Sequence, residues 1–298
     1  MLIQGSIVAL VTPMQEDGSI DFVSYKNLID WHIKQGTNAI IVAGTTGESA
    51  TISVEEHCIL LQATVEHTNK RVPVIAGTGG NSTSEAVELT KYAQKIGADA
   101  SLQVVPYYNK PTQEGMYQHF KFVADAVDIP IILYNVPSRT VADMHNNTIL
   151  RLSAIDNIIG IKDATGNIER GTNLLSMIEN ISSKKNFSVY SGDDATAALL
   201  MLLGARGNIS VTANILPNYI QTIANYCINH LDIQLALKMH KDLSKLNSLL
   251  FCEANPIPVK YALYKMGKIK DFIRLPLTKL SANLTDDLDN ELRKFNII

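Results

Sequence analysis

The sequence predicts an α/β fold, a (β/α)8 TIM barrel over residues 1–230 followed by a small all-helical domain over 231–298. Three observations predict it. Short apolar runs and helix-spaced segments alternate eight times from the N-terminus to about residue 230. Beyond that point the alternation stops and only helical spacing remains. The first apolar run is followed by VTPMQEDGS, which is not the glycine-rich fingerprint expected of a doubly wound sheet, the alternative arrangement.

The elements follow in order. IVALVTP (7–13) is a strand-like run stopped by Pro13, and a helix-spaced segment from Asp21 ends at Gly36. AIIVAG (39–44) is the second strand; its helix, SVEEHCILLQATVEH, opens with Ser53 and Glu56, a capping-box pair. VPVIAGTG, SLQVVP and PIILYNVP are the third, fourth and fifth strands, each trailed by a helical segment. IIGIKD lies in the sixth, FSVYSGDD is the seventh and NISVTANI (208–215) the eighth. ALKMHKDLSKLNSLLFCE, PVKYALYKMG and DDLDNELRKF supply the helices of the tail.

Composition narrows the classes of function. The chain of 298 residues is 46% hydrophobic and 18% charged, enough apolar material for a sizeable soluble core. A net charge of −3, with nothing more basic than Lys184-Lys185, argues against a nucleic-acid or anionic-membrane partner. Cys58, Cys227 and Cys252 are too scattered for a disulfide framework or a zinc site, which suits a reducing cytoplasm. MLIQGSIVALVTPM lacks the basic start of a signal peptide. The apolar run ATAALLMLLGA (195–205) is about half the ~20 residues needed to span a bilayer. A soluble cytoplasmic protein is expected.

In a barrel of this kind the chemistry sits where the strands end. Those ends carry Thr12-Pro13, GTTGES (44–49), GTG (77–79), PYYN (106–109), YNVPSR (134–139), Lys162, SGDD (191–194) and Asn214. No histidine is among them, so metal-ligand spacing and a Ser-His-Asp arrangement are both missing. No metal is expected. Lys162 stands where the pattern of a buried strand calls for Val or Ile. It reads either as a structural lysine, paired with Asp163 or snorkelling to the sheet end, or as an amine nucleophile able to form a Schiff base with a carbonyl. Thr45 and Thr46 serve a turn or hold a small carboxylate. Tyr134 fills the barrel mouth or relays a proton, and Arg139 is a surface residue or a carboxylate clamp. Asp193-Asp194 are expected to cap the helix at 195. Lys260, the other lysine in apolar company, is assigned to the helical tail rather than the barrel mouth.

Seven segments then fall into one familiar order: GTTGESAT, VIAGTGGN, PYYNKPTQEG, YNVPSRT, IIGIKDATGN, SGDDA and ISVTAN. From GSIVALVTPM to NPIPVK the chain resembles the dihydrodipicolinate (4-hydroxy-tetrahydrodipicolinate) synthase family, of the pyruvate-dependent class I aldolase superfamily that includes N-acetylneuraminate lyase. The resemblance implies a lyase that condenses pyruvate with L-aspartate 4-semialdehyde, the first committed step of lysine and diaminopimelate biosynthesis. It implies Lys162 as the Schiff-base residue and Tyr134 as proton donor and acceptor, relayed through Thr45 and Tyr108. Tyr108 would reach in from a neighbouring subunit of a homotetramer. Thr46 and the backbone at Ile209 would hold pyruvate, Gly192 would contact substrate, Arg139 would bind the carboxylate of the semialdehyde, and no cofactor would be needed. Ala50, His57, Asn81, Glu85 and Tyr107 match a feedback site for L-lysine. Val54 stands where some lysine-sensitive relatives carry histidine, so inhibition is expected to be retained or weakened. SMIENISSKKNF (176–187) is longer than the family pattern. The rival functions are a sister aldolase with another aldehyde and a catalytically silent barrel that only binds pyruvate or lysine.

Overall fold

The computed structural model describes residues 3–180 and 187–298. Eight parallel strands close into a barrel in sequence order: β1 (Gly5–Ala9), β2 (Ala39–Val42), β3 (Val74–Gly77), β4 (Ala100–Val104), β5 (Ile131–Asn135), β6 (Ile158–Asp163), β7 (Ser188–Ser191) and β8 (Gly207–Ser210). Between them run α1 (Phe22–Lys34), α2 (Val54–Thr68), α3 (Thr83–Ile96), α4 (Gln113–Asp125), the short turn α5 (Pro137–Thr140), α6 (Asn146–Leu152), α7 (Ile168–Glu179) and α8 (Ala197–Leu202). After β8 come α9 (Pro217–Asn229), α10 (Ile233–Asp242), α11 (Ser244–Leu249), α12 (Ile257–Lys265) and α13 (Ala282–Lys294). No helix among the described residues is long and apolar enough to cross a membrane.

Strand alternation separates two apolar layers. Ile7, Ala9, Ile41, Ile75, Leu102, Ile132, Tyr134, Tyr190 and Ile209 pack together in the barrel lumen. Their neighbours Val8, Ile40, Val42, Val74, Leu133, Ile161 and Val189 join the helices in the larger outer layer. Because both faces are covered, the strands read as continuous apolar runs rather than alternating ones. Closure at β1 and β8 sets Gly5 beside Gly207, where a Cβ on Gly207 would lie 2.3 Å from the Gly5 carbonyl oxygen. Only a residue without a side chain permits that approach.

Local signals set the helix starts. The capping box predicted for α2 is present: Ser53 Oγ accepts from Glu56 N–H at 3.1 Å, and Glu56 Oε2 accepts from Ser53 N–H at 2.8 Å. Asp21, Thr112, Asn167 and Asp232 cap α1, α4, α7 and α10 by accepting a first-turn backbone N–H on their side chains.

Two expectations need correction. The strands are shorter than their apolar runs, because the last residues of each run are loop backbone at the barrel mouth. The run predicted as a strand over 208–215 leaves the sheet after Ser210 and turns through a 3-10 segment, Thr212–Asn214. Asn214 there accepts from Val11 N–H at 3.1 Å and donates to Ala9 O at 2.8 Å, satisfying backbone past the end of β1. Asp194 does not cap α8, whose N-terminus has no side-chain cap. It is buried and accepts from Asn208 Nδ2 and from Val211 and Thr212 N–H at 2.7–3.0 Å, tying the loop after β7 to the loop after β8. Half of the lengthened segment at 176–187, residues 181–186 with Lys184-Lys185, lies outside the described residues.

Candidate active site

Lys162 projects from β6 into the barrel mouth. Its register partners are Tyr134 on β5 and Tyr190 on β7, so the sheet itself sets the lysine beside a phenol. Lys162 is only 6% exposed, and its Nζ lies 4.2 Å from the centroid of the Tyr134 ring. The structural alternative, an ion pair with Asp163, is not formed. Successive strand residues face opposite sides of a sheet. Asp163 is instead bound by Thr165 N–H at 3.0 Å, and burial raises its carboxyl above the usual range despite that bond. Among the described residues no carboxylate pairs with Lys162. Burying an amine without a counter-charge is costly, and a purely structural role does not account for it.

Gly192 gives the lysine its space. A Cβ at this position would come within 2.8 Å of Lys162 Cε and 2.9 Å of Cγ. The glycine is therefore the wall along which the lysine stem lies, a role more specific than the general substrate contact assigned to it from the sequence. Its N–H donates to Asp163 O at 2.7 Å and fixes the wall to the lysine strand.

Above the amine is a cavity of about 560 Å³ lined by Thr45, Thr46, Tyr134, Arg139, Lys162 and Gly192, and by the C-terminal segment 251–255. Arg139, on α5, is exposed to this cavity, donates to Asn255 O at 3.2 Å and has no carboxylate partner among the described residues. Its loop is held from below. Asn135 Nδ2 donates to Asp143 Oδ1 at 2.9 Å and Arg170 Nη1 to Asp143 Oδ2 at 2.7 Å. Burial works to raise the Asp143 carboxyl, but those two donors outweigh it and hold the group below the usual range.

The remaining predicted residues lie elsewhere. Ile209 is buried in the lumen and does not line the cavity. Tyr108 does not line it either: it is 88% exposed with φ +73°, a backbone conformation rare for a residue with a side chain. Of the five feedback-site residues, Asn81 donates to Tyr107 O at 3.3 Å. His57 is buried with its Nε2 donating to Gly77 O at 2.8 Å, and burial lowers its imidazole below the usual range despite that bond. Ala50, Glu85 and Tyr107 are exposed. Among the described residues no cluster of three or more His, Cys, Asp or Glu could hold a metal ion.

This geometry has close counterparts. The model of the dihydrodipicolinate synthetase family matches residues 2–295. The chain belongs to that family. It is 56% identical over 297 residues to the 4-hydroxy-tetrahydrodipicolinate synthase of Herminiimonas arsenicoxydans, covering 100% of both chains. Among solved structures it is similar to the chloride-inhibited dihydrodipicolinate synthase of Acinetobacter baumannii complexed with pyruvate: 54% identity, TM-score 0.96, 99% of this chain and 100% of that one. It is also similar to the Cyanidioschyzon merolae enzyme with lysine bound, at 37% identity and TM-score 0.94, with 100% of both chains covered.

The C-terminal segment reaches the same site through contacts of its own. Asn255 Nδ2 donates to Thr46 Oγ1 at 2.9 Å, across 209 positions of sequence. Lys260 was expected away from the mouth. It grows from α12, but its ammonium reaches the loops after β1 and β2, donating to Glu48 Oε1 at 2.5 Å and Thr12 O at 3.1 Å. The lysine inside PIPVK was the one sequence signal of this contact; its acidic partner could not be read from spacing.

Proposed function

We propose that this cavity condenses pyruvate with L-aspartate 4-semialdehyde through a Schiff base on Lys162, the 4-hydroxy-tetrahydrodipicolinate synthase reaction. The observation that carries the proposal is a buried amine 4.2 Å from the Tyr134 ring, beneath a cavity that also holds Arg139, with no carboxylate paired to either among the described residues.

The Lys162 amine attacks the ketone carbon of pyruvate, water leaves, and an iminium forms. The iminium is an electron sink, so the methyl group loses a proton and becomes the nucleophilic carbon of an enamine. That carbon adds to the aldehyde of the semialdehyde, whose carboxylate Arg139 holds by charge-assisted hydrogen bonds. The substrate amine then displaces Lys162 from the iminium, which closes the ring and frees the lysine. The Tyr134 phenol moves protons at the amine and carbinol stages, with Thr45 as its relay. Thr46 orients the pyruvate carboxylate and Gly192 keeps the lysine stem in line. The covalent electrophile is made from the protein itself, so the scheme calls for no cofactor.

The rest of the assignment belongs to the same proposal. An exposed Tyr108 held at positive φ suits a residue completed by a second copy of the chain, and a homotetramer follows from the family resemblance. L-Lysine is taken as a feedback ligand at Ala50, His57, Asn81, Glu85 and Tyr107. Residues 1–230 are taken as the catalytic barrel and 231–298 as the helical domain. A coupled assay tests the reaction: pyruvate, semialdehyde and the reductase that consumes the product, followed by NADPH loss. Turnover that disappears in Lys162→Ala is expected. Turnover surviving in that variant would overturn the proposal, and borohydride trapping of pyruvate without turnover would indicate a sister aldolase.

A further inference from the structure

The threonine loop between β2 and α2 is held from outside the barrel. Within it, Glu48 N–H donates to Thr45 O at 3.1 Å and Ser49 N–H to Gly44 O at 3.2 Å. Glu48 sits at φ +59°, a backbone region that residues with side chains rarely adopt, so something must over-determine it. Three C-terminal groups do so. Asn255 donates to Thr46, the Lys260 ammonium to Glu48 Oε1, and the Arg274 backbone N–H to Glu48 Oε2 at 3.2 Å. Thr12, whose carbonyl takes the second hydrogen bond from Lys260, donates its own hydroxyl to Gly47 O at 2.7 Å. The turn is thus fastened on both sides of Gly47.

The Glu48 and Lys260 side chains are 1% and 4% exposed. A buried ion pair contributes little net stability compared with an apolar pair of the same volume, because desolvation offsets the attraction. What it does supply is direction, since each charge tolerates few other arrangements.

We propose that the Lys260–Glu48 ion pair is a positioning device, through which the C-terminal helices set the Thr45 and Thr46 hydroxyls relative to the Lys162 amine. This rests on the assignment of Thr46 and Lys162 to pyruvate. Neither member of the pair lines the cavity, so both act through the threonines.

The test compares Lys260→Met, Glu48→Gln, the double variant and Lys260→Arg in the full chain. Two quantities are measured: the thermal midpoint, and the rate of borohydride trapping with pyruvate alone at a concentration below KM. Each neutralising single variant is expected to lower the midpoint, since one buried charge is left unpaired, and the double variant to recover much of it. Trapping is expected to stay about tenfold or more below the wild-type rate in all three, because a displacement of about 1 Å in a positioning group costs that much or more. Lys260→Arg, which keeps the pair, is expected to recover part of the rate. A double variant that regains stability and traps at the wild-type rate would overturn the proposal, since the pair would then be structural only. Should a single variant fail to fold, the double variant and Lys260→Arg decide the matter by the same criterion. Wild-type chain that gains no adduct on Lys162 would instead overturn the assignment of the site, and this proposal with it.

Discussion

Two lysines are buried near the barrel mouth, and they differ in one respect. Lys162 is 6% exposed and faces an aromatic ring; Lys260 is 4% exposed and faces a carboxylate at 2.5 Å. Burial is therefore common to both, and the counter-ion separates them. A lysine locked to a glutamate has its lone pair occupied by a proton that the pair favours, even though burial pulls the Lys260 ammonium below its usual range more strongly than Glu48 restores it. Lys162, left with a ring and an open cavity, is the lysine the proposal assigns to the substrate. On the proposed assignment, the difference teaches that reactivity is specified by omission: the sheet brings no acid to Lys162, while the C-terminal helices bring Lys260 to one.

The largest effect expected from this contrast is in Lys162→Ala, which should lose at least about 10³-fold in turnover, as removing a covalent nucleophile does. Next is Gly192→Ala, whose new methyl would meet the lysine stem at 2.8 Å. Displacing that stem should slow trapping with pyruvate about 10²-fold, while overpacking lowers stability by about 1–3 kcal/mol. A Gly192→Ala enzyme that traps pyruvate normally would show that the wall does not guide the amine. Arg139→Met should raise KM for the semialdehyde by about tenfold or more, the scale of one lost charge-assisted contact, and leave the pyruvate-only trapping rate unchanged. Steady-state kinetics with each substrate varied in turn separates the two. Lys260→Met should cost about 3–5 kcal/mol in a denaturant titration, because it strands Glu48. Its activity loss should be far smaller than that of Lys162→Ala.

The smallest effect separates acid damage to the fold from events at either lysine. His32 is fully buried and its imidazole is lowered to about 3, mainly by burial; His119 is lowered to about 4 for the same reason. In the unfolded chain both titrate near 6.5, so below that pH the unfolded state takes up protons that the folded state refuses. Stability is present above about pH 6.5 and falls as the solution is acidified. His32→Gln should flatten that fall by up to about 1.4 kcal/mol per pH unit between about pH 4 and 6. Equal slopes in the two proteins would refute a neutral buried His32.

Much of the fold was legible because its signals are local. The Ser53–Glu56 capping box, the apolar runs of the strands and the Gly36 that ends the first helical segment each act within a few residues. Strand ends were overestimated for a related reason: loop residues such as Val211 and Ala213 are buried at the mouth and look like sheet. At the site, Lys162 stood out as a charge in an apolar strand, and Tyr134 and Arg139 as strand-end groups. Asp194 was misjudged because its partners, Asn208, Val211 and Thr212, lie beyond the helix it precedes. Lys260 was as conspicuous as Lys162, but Glu48 lies 212 residues away, and no spacing rule connects them. Anomalous residues can be found in a sequence; their partners need the fold.

The most direct measurement is therefore to incubate the protein with pyruvate, reduce with borohydride, digest and map the modified lysine by mass spectrometry. The expected result is one pyruvate adduct, on the peptide containing Lys162, with Lys260 unmodified. An adduct on Lys260, or none on either lysine while the chain remains folded, would contradict the claim that the missing counter-ion marks the nucleophile.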